Sequence, residues 1–348
     1  MFVLQPHVSI LVVNWKGWRD TIECLESIFQ IKYLNYDVVL LDNGSDDESI
    51  IKIREYCAGK IKIKSKFFKY NSSNKPIKLI EYTRKEAESG KITEKRPALS
   101  YLNKNIFLIK NEINYGFAKG NNIGIEFSMS YLDPDFIFLL NNDTVIRPDT
   151  LTKIVNTIKR NNKIGIIGPK ICYYDESDII WSSGGFVNKF TGGIGHRGMG
   201  KHVSYHQGLE QVDYITGCAL MINADIIREI GLLDERYFLY FEETDWNMRC
   251  QKHGYVIVCD NNAIIYHKPS TSFKKIPSLK HYYLYRNKPL FIKNNIKTRN
   301  MPIFIFTYLV QLIMSISKIV IKKQNKLSKY ALQGISDYLL GRFGPYKR

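Results

Sequence analysis

Residues 136–144 read Phe-Ile-Phe-Leu-Leu-Asn-Asn-Asp-Thr, a run of five apolar residues that leads directly into Asn141-Asn142-Asp143. Turn-forming residues flank the run at Asp133-Pro134-Asp135 and Arg147-Pro148-Asp149, so it predicts a strand that is buried on both faces. Such strands belong to parallel α/β sheets, in which ligands bind beyond the carboxyl ends of the strands. A carboxylate at that position can bind a hard cation, and the cation can in turn bind a phosphate group. The alternative is a simple turn that caps the next helix.

The chain before this segment alternates predicted strands and helices. Val8–Val13 predicts a first strand that ends at Asn14, and Asp37–Leu41 predicts a second that ends at Asp42-Asn43-Gly44-Ser45. A helix is expected after each strand, and Ser45-Asp46-Asp47-Glu48 fits a capping box at the start of the second helix. This order predicts a doubly wound α/β sheet.

A segment rich in glycine and asparagine, Asn114–Gly124, follows the predicted strand Ile106–Ile109. Glycines such as Gly116 let the backbone approach a ligand closely, and the N-terminus of the helix that follows favours an anion. A glycine-rich turn alone is a weak signal. This one gains weight because it directly precedes the strand that ends in Asp143.

A cluster of carboxylates, Glu242, Glu243 and Asp245, opens a helix that is predicted to end at His253-Gly254. The helix dipole stabilises acidic residues in a first turn, so capping is the simpler interpretation, and Asp245 is expected to pair with Arg249. Three carboxylates in four positions exceed what capping needs. Like charges this close raise the pKa of one carboxyl group, which suits a general base.

The histidines are weaker candidates on their own. His267 ends an apolar run after the last predicted strand, where a structural role is the more common one. Residues 175–212 form a predicted glycine-rich loop that contains His196, His202 and His206. A metal site there is disfavoured, and a mobile substrate loop is the favoured interpretation.

Composition indicates a folded protein of one large domain or two smaller ones, since 45% of the 348 residues are hydrophobic. The six cysteines are scattered without a C-x-x-C pair, and the N-terminus has no basic region followed by a cleavage site. These features predict a reducing, cytoplasmic compartment and no signal peptide.

The net charge of +17 is concentrated in two parts of the chain, residues 52–104 with 15 basic and 5 acidic side chains and residues 286–348 with 13 and 1. Residues 60–104 interrupt the strand–helix rhythm and predict a basic surface insertion. Within it, Lys60–Lys66 alternates as an edge strand would, and Ile77–Gly90 predicts a short polar helix. A solvated basic face is favoured there over contact with a membrane or an acceptor.

The C-terminal part combines positive charge with an apolar helix over Met301–Ile321. Its length approaches the roughly 20 residues of a spanning helix, but Gln311, Ser315, Ser317 and Lys318 interrupt it. We favour a helix in the membrane interface over a spanning one, with packing on the main domain as the alternative. An anionic membrane surface is favoured over nucleic acid, because the basic residues border an apolar run instead of alternating with exposed aromatics.

Seven motifs in this order resemble glycosyltransferase family 2, in particular its rhamnosyltransferase-like members. They are VSILVVNW at 8–15, LDNGS at 41–45, NYGFAKGNNIG at 114–124, LLNNDT at 139–144, YITGCALM at 214–221, GLLDERYFLYFEETDWNMR at 231–249 and Tyr285-Arg286-Asn287. The resemblance covers nearly the whole chain except residues 60–104. It implies a GT-A fold, which is a doubly wound, Rossmann-like mixed sheet. We assign this catalytic domain to residues 1–285 and a helical, membrane-associating region to residues 286–348.

The resemblance also implies the positions of a site. The family's nucleotide-contacting positions match Asn14 and Asp42, with Gly44, Gly116, Asn121 and Asn142 near the donor. Its D-x-D metal motif matches Asn141-Asn142-Asp143, so the metal charge falls on Asp143, and its histidine after the last strand matches His267. Its general base matches Glu243, with Glu242 and Asp245 as alternatives. Candidates for contact with the acceptor or the diphosphate are Gly217 and Arg286.

The implied reaction transfers a sugar, with inversion, from a nucleotide-diphosphate-sugar donor to a hydroxyl group of a saccharide or lipid-linked acceptor. Mg²⁺ or Mn²⁺ held by Asp143 would neutralise the leaving diphosphate, and Glu243 would take the acceptor's proton. The expected location is cytoplasmic, peripheral on the inner face of the cell membrane, in the synthesis of cell-envelope polysaccharide. The alternative is a catalytically inactive sugar-nucleotide-binding or scaffold protein at the membrane.

Overall fold

The computed structural model describes residues 5–89, 105–188, 190–269, 277–296, 300–322 and 325–347. Its strands are β1 Val8–Asn14, β2 Tyr36–Asp42, β3 Lys78–Thr83, β4 Asn105–Lys110, β5 Phe136–Asn141, β6 Thr144–Ile146, β7 Ile164–Tyr173, β8 Ile180–Ser182, β9 Gly185–Val187, β10 Ile194–His196, β11 Leu209–Gln211, β12 Ala219–Asn223 and β13 Val256–His267. Its α-helices are α1 Trp18–Ile28, α2 Ser49–Cys57, α3 Arg84–Glu88, α4 Gly116–Phe127, α5 Thr150–Arg160, α6 Ala224–Ile230, α7 Glu242–Lys252, α8 Pro277–Asn295, α9 Met301–Lys322 and α10 Asn325–Leu339.

A mixed sheet of eleven strands forms the centre of the domain. The strands β3, β4, β2, β1 and β5 lie side by side in that order and run parallel. The next strand, β12, is antiparallel to both β5 and β7. The strand predicted at residues 136–140 is confirmed as β5, which lies between β1 and β12 with Phe136 to Leu140 buried. The prediction of a mixed α/β sheet is therefore confirmed.

Helices cover both faces of this sheet. On one face, Val8, Ile10 and Val12 of β1 pack with residues of α1, α2 and α5. On the other face, Leu11 packs with residues of α4, α6 and α7. Successive side chains of a strand point to opposite faces, so an uninterrupted apolar strand must be covered twice. This is the doubly wound arrangement that the sequence predicts.

Three local expectations for the first hundred residues are wrong. No strand forms at Lys60–Lys66, because Ile61 and Ile63 pack directly on the core as an extended, unpaired segment. The edge strand of the sheet is instead β3, which pairs with β4. The polar helix expected at Ile77–Gly90 is reduced to the five residues of α3.

The capping box expected at Ser45–Glu48 does not form either. Helix α2 begins at Ser49, and its N-cap residue Glu48 makes no side-chain cap hydrogen bond. The Ser45 hydroxyl is engaged elsewhere, since it accepts hydrogen bonds from the Asn14 side chain and from the Lys16 backbone N–H. The serine therefore belongs to the end of β2 and not to the helix.

The segment 175–212 is more ordered than a loop, because it contains the strands β8 to β11. Strand β8 joins the main sheet beside β7, and β9 and β10 form a separate antiparallel pair. These strands lie next to His267, as shown below. The segment is therefore part of the wall around the strand ends.

The C-terminal helices confirm the predicted helical region. The Tyr282 hydroxyl of α8 donates to Asp337 of α10 at 2.8 Å, and an apolar cluster joins Phe291 of α8 with Phe304 of α9 and with Phe241, the residue before α7. Within the described residues, we find no helix whose length and apolar character would let it cross a membrane.

Candidate functional site

The carboxyl ends of β1, β2 and β5 bring three of the predicted donor residues into one hydrogen-bond network. The strand register pairs Asn14 with Asp42, and the Asn14 amide donates to the Asp42 carboxylate at 2.7 Å. The Thr21 hydroxyl of α1 donates to the Asn14 side-chain oxygen at 2.8 Å, and it accepts from the Asn142 amide at 2.9 Å. Sequence analysis missed Thr21, because an isolated threonine in a helix carries no motif.

Asp42 is the charged member of this network. Burial raises the pKa of its carboxyl group, against the opposing effect of hydrogen bonds from Ser45 and Asn14. The Ser45 backbone N–H donates to the second carboxylate oxygen at 3.0 Å. The network therefore fixes the orientation of Asp42 at the end of β2, where parallel α/β sheets bind their ligands.

Two glycines allow the loops around the network to approach each other. Gly44 has a φ of +70°, and a Cβ atom there would lie 2.4 Å from the carbonyl carbon of Ile113. Gly116, at the start of α4, has a φ of +80°, and its Cβ would lie 2.4 Å from the Phe238 carbonyl oxygen. Gly116 thus closes a contact between protein segments. The Asn121 side chain likewise bonds within α4, to the Phe117 carbonyl oxygen at 2.9 Å.

Asp143 and His267 lie side by side because β6 pairs with the end of β13. Thr144 is opposite His267 in this register, and the Lys268 backbone N–H donates to the Asp143 carbonyl oxygen at 3.0 Å. The Asp143 Oδ1 atom lies 3.2 Å from His267 Nε2. That oxygen is buried and has no hydrogen-bond partner, and His267 Nδ1 is in the same situation. An unpaired buried carboxylate oxygen is costly unless a ligand completes its coordination.

These two side chains fit a cation whose other ligands come from the substrate. Mg²⁺ keeps several waters and is commonly held by one or two carboxylates together with substrate phosphates. In the described part of the chain, no group of three or more His, Cys, Asp or Glu side chains is arranged to hold a metal by itself. The pair Asp143 and His267 is therefore suited to a shared site and not to a closed one.

Two neighbouring glutamates, Glu242 and Glu243, begin α7. The Oε2 atom of each is buried without a hydrogen-bond partner. Burial and the neighbouring Glu243 carboxylate raise the pKa of Glu242 well above its usual range. Burial also raises the pKa of Glu243, although the backbone N–H groups of Glu243 and Thr244 oppose this effect. Glu242 is 3% exposed, whereas Glu243 is half-buried, so Glu243 is the more accessible of the two.

Asp245 is occupied within the protein. Its carboxylate accepts hydrogen bonds from Tyr237 at 3.3 Å, from Asn295 at 2.6 Å and from Arg249 at 3.0 Å. The predicted pairing with Arg249 is confirmed. Both carboxylate oxygens are satisfied, so the geometry favours Glu243 over Asp245 as a proton acceptor.

The segment before α7 has an unusual backbone. Phe238, Tyr240 and Phe241 all have positive φ values, of 61°, 69° and 76°. For bulky residues this conformation costs roughly 1–3 kcal/mol each, and it persists only where surrounding contacts impose it. Phe241 directly precedes Glu242, so the contacts that impose this backbone also set where the two glutamates point.

Arg286 and Asn287 of α8 supply those contacts. The Asn287 amide donates to the carbonyl oxygens of Tyr237, Leu239 and Tyr240 at 2.8, 2.8 and 3.0 Å. The Arg286 guanidinium donates to the Tyr237 carbonyl oxygen at 2.7 Å and to that of Arg236 at 3.1 Å. Arg286 is fully buried. In this structure its charge is directed to backbone carbonyls and away from the strand ends.

Gly217 and Cys218 connect the two halves of the site. A Cβ atom at Gly217 would lie 3.5 Å from Glu243 Cβ and 2.8 Å from the Phe117 ring. The neighbouring Cys218 carbonyl oxygen accepts the Asn141 N–H at 2.9 Å. Burial raises the pKa of the Cys218 thiol, and the Asp143 carboxylate contributes. Glu243 and Asp143 therefore both lie near one short segment.

These features define an α/β protein with one acidic residue, Asp143, after the end of β5 and a second, Glu243, in the first turn of α7. A family model described as glycosyl transferase family group 2 matches residues 136–324, more than half of the chain, and one described as glycosyl transferase family 2 matches residues 9–77. The chain belongs to glycosyltransferase family 2. This confirms the resemblance seen in the sequence motifs.

Several curated proteins are similar to this chain. A low-salt glycan biosynthesis hexosyltransferase, Agl10 of Haloferax volcanii, is 27% identical over 50% of this chain and 56% of its own length. The dTDP-rhamnosyl transferase RfbF of Shigella flexneri is 24% identical over 52% of this chain and 61% of its own length. An N-acetylglucosaminyl-diphospho-decaprenol L-rhamnosyltransferase of Mycobacterium tuberculosis is 23% identical over 41% and 50%. The chain thus matches only about half to three-fifths of these relatives' lengths.

Solved structures support the fold. GalNAc-T7 with UDP, GalNAc and Mn²⁺ superposes with a TM-score of 0.54 and 14% identity, over 76% of this chain and 43% of that one. The mannosyltransferase PcManGT of Pyrobaculum calidifontis with GDP-Man and Mn²⁺ superposes with a TM-score of 0.53 and 10% identity, over 98% of this chain and 89% of that one. The predicted GT-A fold, with its helical C-terminal region, is confirmed.

Proposed function

We propose that this chain is an inverting glycosyltransferase that moves a sugar from a nucleotide-diphosphate-sugar donor to a hydroxyl group of a saccharide or lipid-linked acceptor. The observation that carries the proposal is that two half-buried acidic residues, Asp143 and Glu243, each with a buried carboxylate oxygen that makes no hydrogen bond, lie near the same short segment, Gly217-Cys218. Such a pair suits a reaction with a leaving anion at one end and a proton to remove at the other. The names of the curated relatives support sugar transfer.

The nucleotide is proposed to bind at the ends of β1 and β2. The Asp42 carboxylate, oriented by Asn14 and Ser45, accepts hydrogen bonds from the donor. Gly44 and Gly116 keep the surrounding loops close together, and Asn142 ties the end of β5 to the same network through Thr21. A preorganised polar site of this kind holds the donor without a reorganisation cost.

The diphosphate is proposed to lie against Asp143 and His267. Bound Mg²⁺ or Mn²⁺ would neutralise the charge that develops on the leaving diphosphate. Asp143 Oδ1 would supply an anionic oxygen and His267 a nitrogen for that cation, and His267 is buried while Asp143 is half-buried. The two solved structures similar in fold contain Mn²⁺.

Glu243 is proposed as the general base. The acceptor oxygen forms a bond to the anomeric carbon while the bond to the diphosphate oxygen breaks, and the diphosphate leaves with the electron pair. The proton of the acceptor hydroxyl passes to the Glu243 carboxylate. Attack opposite the leaving group inverts the anomeric centre. Arg286 and Asn287 are proposed to position the segment before Glu243, in place of the predicted contact of Arg286 with the acceptor or the diphosphate.

We also propose that the protein is peripheral on the cytoplasmic face of a membrane. The exposed face of α9 presents Ile303, Phe306, Leu309, Val310 and Ile313, each between 39% and 68% exposed. Residues 286–348 have 13 basic and 1 acidic side chains. An apolar face within a basic region suits an anionic lipid surface. Such a location would bring the site to a lipid-linked acceptor.

The test is donor binding followed by transfer. A panel of nucleotides and nucleotide sugars is screened for thermal stabilisation with and without Mn²⁺, and sugar transfer is then measured with the donor that binds. We expect Glu243→Gln to keep donor binding and lose transfer, and Asp143→Ala to lose the Mn²⁺-dependent part of the stabilisation. Wild-type turnover in both variants would refute the assignment. Donor binding without transfer or hydrolysis in the wild type would favour the inactive alternative.

A further inference from the structure

A row of aromatic rings extends from His267 along the wall of the site. The Trp181 ring of β8 lies with its centroid 4.6 Å from that of His267, at an interplanar angle of 71°. On its other side, Trp181 lies 4.4 Å from the His196 ring of β10. The His196 ring is in turn 6.0 Å from Tyr214. None of the residues Trp181, His196 or Tyr214 is used in the mechanism above.

This row leads from one reactive end of the site to the other. His267 Nε2 lies 3.2 Å from Asp143 Oδ1 at one end. At the other end, the backbone N–H of Ile215, the residue after Tyr214, donates to the Asn247 side chain at 3.0 Å, and the Asn247 amide donates to the Glu243 carbonyl oxygen at 2.7 Å. A sugar that passes between a diphosphate at Asp143 and a base at Glu243 must lie along the path that this row lines.

The two middle members of the row are available to a ligand. Trp181 and His196 are half-buried, whereas Tyr214 and His267 are buried behind them. The Nδ1 atom of His196 is 3.1 Å from the Ser182 hydroxyl, and among the described residues its Nε2 has no hydrogen-bond partner. Burial lowers the pKa of His196 to about 4. The ring is therefore neutral near pH 7 and can donate or accept one hydrogen bond.

We propose that Trp181 and His196 form a saccharide-binding subsite, in which the apolar face of a hexopyranose ring packs on the exposed part of the indole and a sugar hydroxyl bonds to His196 Nε2. The inference rests on the proposed function and specifies which residues hold the sugar. An aromatic surface with one convergent polar group is the usual composition of a small-molecule site. Ser182 fixes the imidazole, so the polar contact is preorganised.

The test separates this subsite from the nucleotide site. Saturation-transfer NMR with a panel of methyl glycosides (glucose, galactose, mannose, rhamnose and N-acetylglucosamine), in the presence of diamagnetic Mg²⁺ and the nucleotide that binds, measures saccharide contact directly. We expect Trp181→Ala to weaken saccharide binding roughly tenfold, which is the order of one aromatic contact. Trp181→Phe should weaken it less, and His196→Gln should act on the glycosides whose hydroxyls reach Nε2. Nucleotide affinity should stay unchanged in all three variants and serves as the folding control.

The possible outcomes distinguish the two proposals. If the wild-type protein binds no nucleotide, the proposed function fails. If it binds nucleotide but no glycoside, or if Trp181→Phe and His196→Gln bind glycosides as the wild type does, the subsite is refuted while the nucleotide site stands. The Phe variant keeps a ring in the core, so the test remains decisive even where Trp181→Ala fails to fold. In a transfer assay, the same variants should raise the acceptor KM more than they lower kcat.

Discussion

At the scale of single residues, the two glutamates of α7 differ in what they can reach. Both carry an unpaired buried oxygen, but only Glu243 is half-buried and faces Gly217. Asp245, two residues on, has both oxygens bonded to protein donors. The environment thus separates three neighbouring carboxyl groups into a half-buried candidate base, a buried group with a raised pKa and a group that is bonded to three protein donors.

Glu243→Gln should lower kcat by roughly 10²- to 10⁴-fold, which is the usual contribution of a positioned general base. Glu242→Gln should lower it less, because Glu242 is buried behind the surface that an acceptor contacts. The measurement is transfer to acceptor under saturating donor. The matched control is Glu176→Gln on the exposed loop after β7. Equal losses in Glu242→Gln and Glu243→Gln would contradict this division of roles.

Glu242 should also make folding stability depend on pH. Its pKa is raised in the folded state, so above the ordinary value of about 4.3 the unfolded chain releases a proton that the folded protein keeps. Stability contributed by the protonated form is present at low pH and is lost as pH rises toward the folded pKa, by about 1.4 kcal/mol per pH unit in that window.

Glu242→Gln removes this loss, so we expect the variant and the wild type to be similarly stable at pH 4 and the variant to be more stable at pH 8. Denaturant unfolding at both pH values measures the difference. Glu176→Gln is the control, and it should show no such divergence. Because Glu242 and Glu243 interact, the midpoint belongs to the pair. A variant that is less stable than the wild type at pH 8 would contradict the prediction.

At the scale of elements, α8 controls the backbone that leads into α7. Two side chains of α8, Arg286 and Asn287, donate hydrogen bonds to four backbone carbonyl oxygens in the segment from Arg236 to Tyr240. Phe238, Tyr240 and Phe241 in this segment have positive φ values, a strained conformation that these hydrogen bonds stabilise. Without these donors, the buried carbonyl groups would be unpaired and the strained backbone would relax.

Asn287→Ala should therefore lower kcat and the melting temperature together, while nucleotide affinity changes little. Loss of three hydrogen bonds from one buried amide should cost about 1–3 kcal/mol of stability. Asn105→Ala is a suitable control, because this buried asparagine lies at the start of β4, at the opposite end of the strands. If both variants lose stability but Asn287→Ala keeps the wild-type kcat and pH profile, the proposal that Asn287 positions Glu243 is refuted.

At the scale of the whole molecule, α9 differs from the helices that cover the sheet. It buries Phe304 against the domain, yet it exposes an apolar face at Ile303, Phe306, Val310 and Ile313, spaced three and four residues apart. The helices that cover the sheet, such as α5, bury their apolar face. The exposed apolar face of α9 within a basic region is the basis of the proposed contact with an anionic membrane.

We expect the protein to sediment with vesicles that contain phosphatidylglycerol and much less with neutral phosphatidylcholine vesicles. The double variant Phe306→Glu and Ile313→Glu should lose at least about tenfold in vesicle affinity, because each buried side chain of this size contributes about 1.5–3 kcal/mol. Leu34→Glu is the control, since Leu34 is 64% exposed on the main domain. Equal sedimentation of the double variant and the control would show that α9 does not contact lipid.

Local pattern by itself determined the central strands, the helix beginning at the glutamates and the Asp245–Arg249 pair, because apolar periodicity and i, i+4 spacing are properties of neighbouring residues. The family motifs identified Asp42, Asp143, His267 and Glu243 as a set. The local pattern predicted the edge strand and the capping box wrongly, because Ile61 packs on the core and Ser45 accepts a hydrogen bond from Asn14, and these contacts involve residues distant in sequence.

Only the tertiary structure decided which groups surround each candidate site residue. The pairing of β6 with β13 places His267 beside Asp143, and the packing of α8 turns Arg286 from an expected ligand contact into a support for the segment before Glu243. No sequence motif pointed to Thr21, Trp181 or His196, which the folded structure brings close to the candidate site. Burial and hydrogen bonding depend on residues far apart in the chain, so only the folded arrangement separates an available carboxylate such as Glu243 from an occupied one such as Asp245.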